Sequence, residues 1–180
     1  MKLKSAVFLD RDGVLNKSFI QNGKPFAPRR LEDFHIFPEA GFITQSFQKM
    51  GLHVIVVTNQ PDVGNGFVTQ SVVEAMHVML AKTVFLDEIM VCYHSQTDGC
   101  SCRKPKPGML LKAAEKFGID FQRSVMIGDR YSDVLAGRAA GCRTILIDYS
   151  YQESALCQPN LIVDSLEEAA NAIISQKIFR

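Results

Sequence analysis

The stretch FLDRDGVLN, Phe8 to Asn16, places two carboxylates on either side of an arginine directly after an apolar run. Asp10 and Asp12 repel one another at that spacing unless a cation lies between them or one of them is protonated. A carboxylate in such a position can serve as nucleophile, as general acid/base or as metal ligand. Three more segments offer reactive groups: VTNQ with Thr58 and Asn59, CRKPKPG with Arg103 and Lys104, and GDRYSD with Asp129, Arg130 and Asp133. Each has a plain reading on its own. Asp-Arg-Asp-Gly can be a solvated turn, Thr-Asn an ordinary turn, and Asp129 a helix cap.

The elements around these segments decide between the readings. Ser5–Leu9, Val54–Val57, Ile89–Cys92, Val125–Ile127 and Thr144–Ile147 are short, β-branched-rich apolar runs, as expected of strands buried on both faces. Helical periodicity marks Glu39–Met50, Thr69–Ala81, Gly108–Phe117 and Ser132–Ala140, with Pro38 suited to the first turn of its helix. Ser165 and Glu168 stand at capping-box spacing before AANAII. The alternation predicts right-handed βαβ crossovers and a Rossmann-like doubly wound parallel sheet covered by helices. In such sheets ligands bind beyond the carboxyl ends of the strands. Asp10, Thr58–Asn59 and Gly128–Asp129 each follow a strand directly, and Arg103–Lys104 follow another after a cysteine-rich loop. Four polar segments thus converge on one rim.

The order DRDGVLN, VTNQ, CRKPKPG, GDRYSD resembles the haloacid dehalogenase superfamily of aspartate-nucleophile phosphatases. Within it the chain is similar to the histidinol-phosphate and heptose-bisphosphate phosphatase branch, over about Ser5 to Ile147. The resemblance implies Asp10 as nucleophile, Asp12 as general acid/base, and Thr58 and Lys104 as holders of the transferring phosphoryl group. It implies a Mg²⁺ site made by Asp10, the backbone carbonyl of Asp12, and Asp129. Asn16, Asn59, Arg103 and Arg130 would meet the substrate, and Asp133 would support Lys104 or a metal-bound water. The implied reaction is hydrolysis of a phosphorylated sugar, a heptose bisphosphate foremost, through an aspartyl phosphate. Histidinol phosphate is the nearest other substrate. A catalytically silent α/β module with a similar acidic rim, as in response-regulator receivers, is the alternative from another class, and Asp12 argues against it.

CYHSQTDGCSC holds a second constellation. Cys92, His94, Cys100 and Cys102 form a Cys₃His set suited to tetrahedral Zn²⁺, closed and structural because no open position remains. A redox pair or free thiols compete with that reading. The next residues are Arg103 and Lys104, so a clamped loop 92–102 would fix the lysine before reaction. The resembling branch carries zinc on such a loop, and the segment between His94 and Cys100 is shorter here.

The bulk properties set limits. A chain of 180 residues, 47% hydrophobic and 22% charged, is expected to form a single globular domain over 1–180. A formal net charge of +1 gives no argument for nucleic acid or anionic membranes, and no apolar run approaches the roughly 20 residues that span a bilayer. A cytoplasmic location and a small phosphorylated metabolite as partner follow as expectations. Asn16–Phe37 reads as a loop over one end of the sheet, too short for a cap domain, so the site is expected to be capless. The resemblance leads to an arginine after TNQ where PDVGNG places Asn65, leaving Arg103 and Arg130 as cationic contacts, with Arg29 and Arg30 on the loop facing solvent. His35, His53 and His77 read as surface or core-edge residues, and Met76, Met79 and Leu80 as core.

Overall fold

The computed structural model describes residues 3–154 and 157–179. Its main sheet has six parallel strands, built from β1 (Ala6–Leu9), β4 (His53–Asn59), β5 (Glu88–Cys92), β6 (Val125–Gly128), β7 (Arg143–Ile147) and β8 (Leu161–Val163). The spatial order is β5-β4-β1-β6-β7-β8. From β1 the chain winds outward through β4 and β5, then returns to the other side of β1 with β6. The direction of winding therefore reverses between β1 and β6, the crevice where α/β sheets of this order bind ligands.

Strand alternation divides the core in two. Val7 and Leu9 of β1, with Val54, Val56 and Ile127, pack toward α1 (Ala40–Lys49), α3 (Gln70–Thr83) and α6 (Leu166–Ile174). Ala6 and Phe8, with Ile55, Val57 and Met126, pack toward α4 (Gly108–Phe117) and α5 (Tyr131–Ala140). Both faces are covered, which is why the strands read as unbroken apolar runs rather than as alternating ones. Met76 and Leu80 lie in the first layer as expected, with Met79 packed against it.

Several expectations need adjusting. Asn16–Phe37 is more than a loop: β2 (Phe19–Gln21) and β3 (Lys24–Phe26) form a small antiparallel hairpin, followed by a 3₁₀ turn at Leu31–Asp33. The turn residues Asn22 and Gly23 have positive φ (51° and 69°), and the short exposed strands bury too little to leave a strong apolar pattern. A one-turn helix, α2 (Pro61–Gly64), follows β4, and β8 adds a sixth strand after Pro159. Pro38 lies just ahead of α1, not in its first turn. The Ser165 hydroxyl does cap α6 by accepting from the Glu168 N–H, but the Glu168 carboxylate reaches the Asp164 N–H rather than completing the box on Ser165. Among the described residues no helix is long and apolar enough to cross a membrane.

Candidate active site

β1 and β6 lie side by side at the switch point, and the Asp10 N–H donates to the Ile127 carbonyl at 2.9 Å. That register sets Asp10 and Asp129 at the same end of the sheet. The chain then turns sharply, with the Leu15 and Asn16 N–H groups both donating to the Arg11 carbonyl. Gly13 permits the turn with φ +85°, and a Cβ there would stand 2.0 Å from Asp129 Oδ2. Gly128 meets the same need from the other side, since its Cβ would overlap the Asp133 carboxylate. Glycines at 13 and 128 let the backbone close around the carboxylates.

Lys104 reaches this centre from the loop after β5. Its ammonium lies 2.9 Å from Asp10 Oδ1 and 2.6 Å from Asp133 Oδ1, and donates to the Val57 carbonyl at 2.7 Å. Burial disfavours the Lys104 charge, but Asp10 and Asp133 outweigh it and hold the pKa above its ordinary value. Burial pushes Asp10 up to about 7, opposed by Lys104 and assisted by Asp133 and Asp12. Asp129 is raised well above the usual carboxylate range, first by burial and then by Asp10 and Asp133. Three buried carboxylates therefore face one ammonium, and their oxygens converge within 4.8 Å. Asp129 Oδ1 is buried with no hydrogen-bond partner among the described residues. A hard divalent cation suits that donor set, because it supplies both the missing charge and the missing contact.

The backbone of Lys104 is fixed by Asn59, whose amide donates to the Lys104 carbonyl and accepts from the Lys104 N–H, both at 3.0 Å. Thr58 is fully buried, and its hydroxyl oxygen accepts from Gln60 Nε2 at 2.9 Å. The same Gln60 nitrogen donates to Asp12 Oδ2 at 2.8 Å, so one amide orients two of the expected site residues. Asn16 is fully buried and donates to Asp12 Oδ1 at 2.9 Å, which places it behind Asp12 rather than on the cleft surface. Arg11 folds back onto Asp12 through Nε and Nη2, at 2.9 to 3.2 Å.

These groups open into a cleft of about 160 Å³ lined by Asp10, Asp12, Asn59, Arg103, Asp129 and Arg130, with Phe26 and Asp62 on its outer side. Arg103 lines that cleft, and its Nη1 is buried with no hydrogen-bond partner among the described residues. Arg130 pairs with Glu153, while its N–H donates to Asp133 Oδ2 at 3.1 Å. Arg29 pairs with Asp62 at 2.6 Å and stacks on Phe67, whereas Arg30 pairs with Asp33 and faces solvent. Asn65 bonds Gln96. Sequence reasoning assigned no role to Gln60 or Tyr151. Tyr151, on the loop after β7, donates its hydroxyl to Asp129 Oδ2 at 3.0 Å, and no sequence signal announces that contact.

The second cluster also forms. Five of the six separations among Cys92 Sγ, His94 Nδ1, Cys100 Sγ and Cys102 Sγ lie between 3.1 and 3.6 Å. A tetrahedron with Zn–S of about 2.3 Å has edges of about 3.8 Å, so a slight expansion would seat the ion. Burial, then the neighbouring Cys102, pushes the Cys92 thiol up to about 12. Crowded sulfurs of this kind ionise together only around a cation. Lys106 donates to the Gly99 and Cys100 carbonyls and closes the loop just after Lys104.

Comparison with known proteins decides the family. The chain is 33% identical over 180 residues to a D-glycero-β-D-manno-heptose-1,7-bisphosphate 7-phosphatase of Pseudomonas aeruginosa, covering 95% of this chain and 98% of that one. The chain belongs to the haloacid dehalogenase-like phosphatases. It is thus a hydrolase of phosphoric monoesters. The HAD-hydrolase-like family model matches residues 101–169. A D-glycero-α-D-manno-heptose-1,7-bisphosphate 7-phosphatase of Campylobacter jejuni is 35% identical, over 82% of this chain and 83% of its own. The fold matches the crystal structure of D,D-heptose 1,7-bisphosphate phosphatase from B. bronchiseptica with a TM-score of 0.82 at 24% identity, covering 97% and 99% of the two chains. The haloacid dehalogenase-like sheet expected from the sequence is therefore the one present.

Proposed function

We propose that the chain is a Mg²⁺-dependent phosphatase that removes one phosphate from a heptose 1,7-bisphosphate. The unpartnered, buried Asp129 Oδ1 beside the Asp10–Lys104–Asp133 cluster carries this reading. Asp10, Asp129 and the backbone of Asp12 would hold the ion, which supplies charge neutralisation between two anionic reactants. Asp10 attacks phosphorus in line, forming an aspartyl phosphate. Lys104 and the Thr58 hydroxyl, oriented by Gln60, hold the equatorial oxygens. Asp12 protonates the leaving oxygen and then takes a proton from the water that opens the intermediate.

The substrate class rests on the curated relatives and on Arg103. Its buried Nη1 has no partner among the described residues, and a second, non-reacting phosphate would satisfy it. Relatives at similar identity act on both the α and the β anomer, so the anomer stays open to assay. The Cys92, His94, Cys100 and Cys102 set would hold a structural Zn²⁺ that fixes Arg103 and Lys104. The test is turnover of a panel containing both heptose bisphosphate anomers, histidinol phosphate and an aryl phosphate, with and without Mg²⁺. The expected result is Mg²⁺-dependent release of one phosphate, fastest from a heptose bisphosphate. Faster turnover of histidinol phosphate would replace the substrate, and no turnover of any ester would end the reading.

A further inference from the structure

We propose that His77 is a positioning residue for Asp12, acting through the buried side chain of Arg11. The inference rests on the acid/base role given above to Asp12. Arg11 is 0% exposed, so water cannot meet its charge. One edge of the guanidinium, Nε and Nη2, grips both oxygens of Asp12. The remaining nitrogen, Nη1, lies 3.1 Å from His77 Nε2 on α3, and the Phe34 ring sits 5.2 Å from Cζ. A guanidinium only donates. His77 Nε2 is therefore the acceptor, which fixes the imidazole as the neutral Nδ1–H tautomer. Burial and then the Arg11 charge depress His77 to about 4, so it stays an acceptor at neutral pH.

The consequence falls on Asp12. An ionised carboxylate has about four acceptor positions. Arg11 and Asn16 meet Oδ1, while Arg11 and Gln60 meet Oδ2. To act as the acid, Asp12 has to take up a solvent proton on the oxygen that gives up its neutral amide partner, while the charge-assisted fork keeps its direction. That fork is only as rigid as the far end of Arg11. Without an acceptor at position 77, Nη1 becomes a buried unsatisfied donor, and the guanidinium turns to find a partner. The carboxylate turns with it. A helix residue that does not line the cleft thus sets the aim of the acid.

Leaving-group dependence tests this. A sugar alkoxide needs a proton as it departs, whereas 2,4-dinitrophenolate leaves without one. Single-turnover phosphoryl transfer would be measured with the fastest sugar phosphate of the panel and with 2,4-dinitrophenyl phosphate. In His77→Leu, transfer from the sugar phosphate should fall about 10-fold with KM unchanged, against the 10²–10⁴-fold of the whole acid/base. Transfer from the dinitrophenyl ester should change less than about twofold, and His77→Gln, which restores an acceptor oxygen, should recover most of the loss. In the unmodified protein, ¹⁵N NMR should show Nδ1 protonated and Nε2 bare, a measurement that needs no variant to fold. Equal losses on both esters, no loss on either, or the Nε2–H tautomer would overturn the proposal. Unmodified protein that turns over neither ester would instead refute the phosphatase reading.

Discussion

The two ends of the cleft are built on different physics. At the inner end, Asp10 and Asp129 at strand ends, Lys104 on the loop after β5 and Asp133 in the first turn of α5 are each at most 8% exposed. Charges there act through a low dielectric with little screening, so geometry set by the sheet is enforced strongly. At the outer end, Arg29–Asp62 and Arg130–Glu153 join arginines that are about half exposed. Exposed pairs of this kind contribute about 0–1 kcal/mol and weaken with salt. The inner end is thus defined by buried charges and the outer end by weak, half-exposed pairs.

The largest expected effect attacks the inner end directly. Asp10→Asn removes the proposed nucleophile and Mg²⁺ ligand, so activity should fall to background and trapping by beryllium fluoride should fail. Asp12→Asn should keep trapping, since its side chain faces Arg11, Asn16 and Gln60. Its kcat should drop by about 10²–10⁴-fold. The structure adds a second expectation, because the buried Arg11 would lose its counterion, at a cost on the order of 3 kcal/mol seen as a lower Tm. Activity of Asp10→Asn close to that of the unmodified protein would break the contrast at its root.

The same contrast explains what could be read from the chain alone. Strands buried on both faces announce themselves as apolar runs, and the residue after each run is placed by the sheet, so Asp10, Thr58 and Asp129 were legible. The Cys₃His cluster was legible because its four residues are local in sequence. Tyr151 was not, since its contact with Asp129 depends on how the loop after β7 folds back over the rim. His77 was read as a surface or core-edge residue because only the tertiary fold brings it to Arg11 across 66 positions. The hairpin of β2 and β3 was missed for a related reason: its strands are exposed and follow no apolar period.

The cysteine cluster links the two ends, since Arg103 and Lys104 leave it together. Purified protein should hold about one Zn²⁺ per chain. Cys100→Ser should lower zinc content and Tm. It should also lower kcat, because a shift of about 1 Å in a positioning group costs about 10²-fold. Fully active, reduced protein free of zinc would remove the metal from the account.

The smallest effects lie on the rim, where Arg103 and Arg130 should separate. Arg130 is already paired with Glu153 and partly exposed, so Arg130→Ala should cost at most about 1 kcal/mol of transition-state stabilisation, less at high salt. Arg103 has a buried Nη1 with no partner among the described residues, so a second phosphate would meet it without first breaking a protein contact shown there. Binding energy from that remote group can orient the reacting end. Arg103→Ala should therefore cost about 1.5–3 kcal/mol in kcat/KM for the bisphosphate, the range of a charge-assisted contact. An aryl monophosphate has nothing to place there and should lose much less. Equal losses on the two substrates would mean that Arg103 only packs against the cysteine loop. In that case the inner end would act alike on any monoester, and the bisphosphate preference would have to come from elsewhere on the rim.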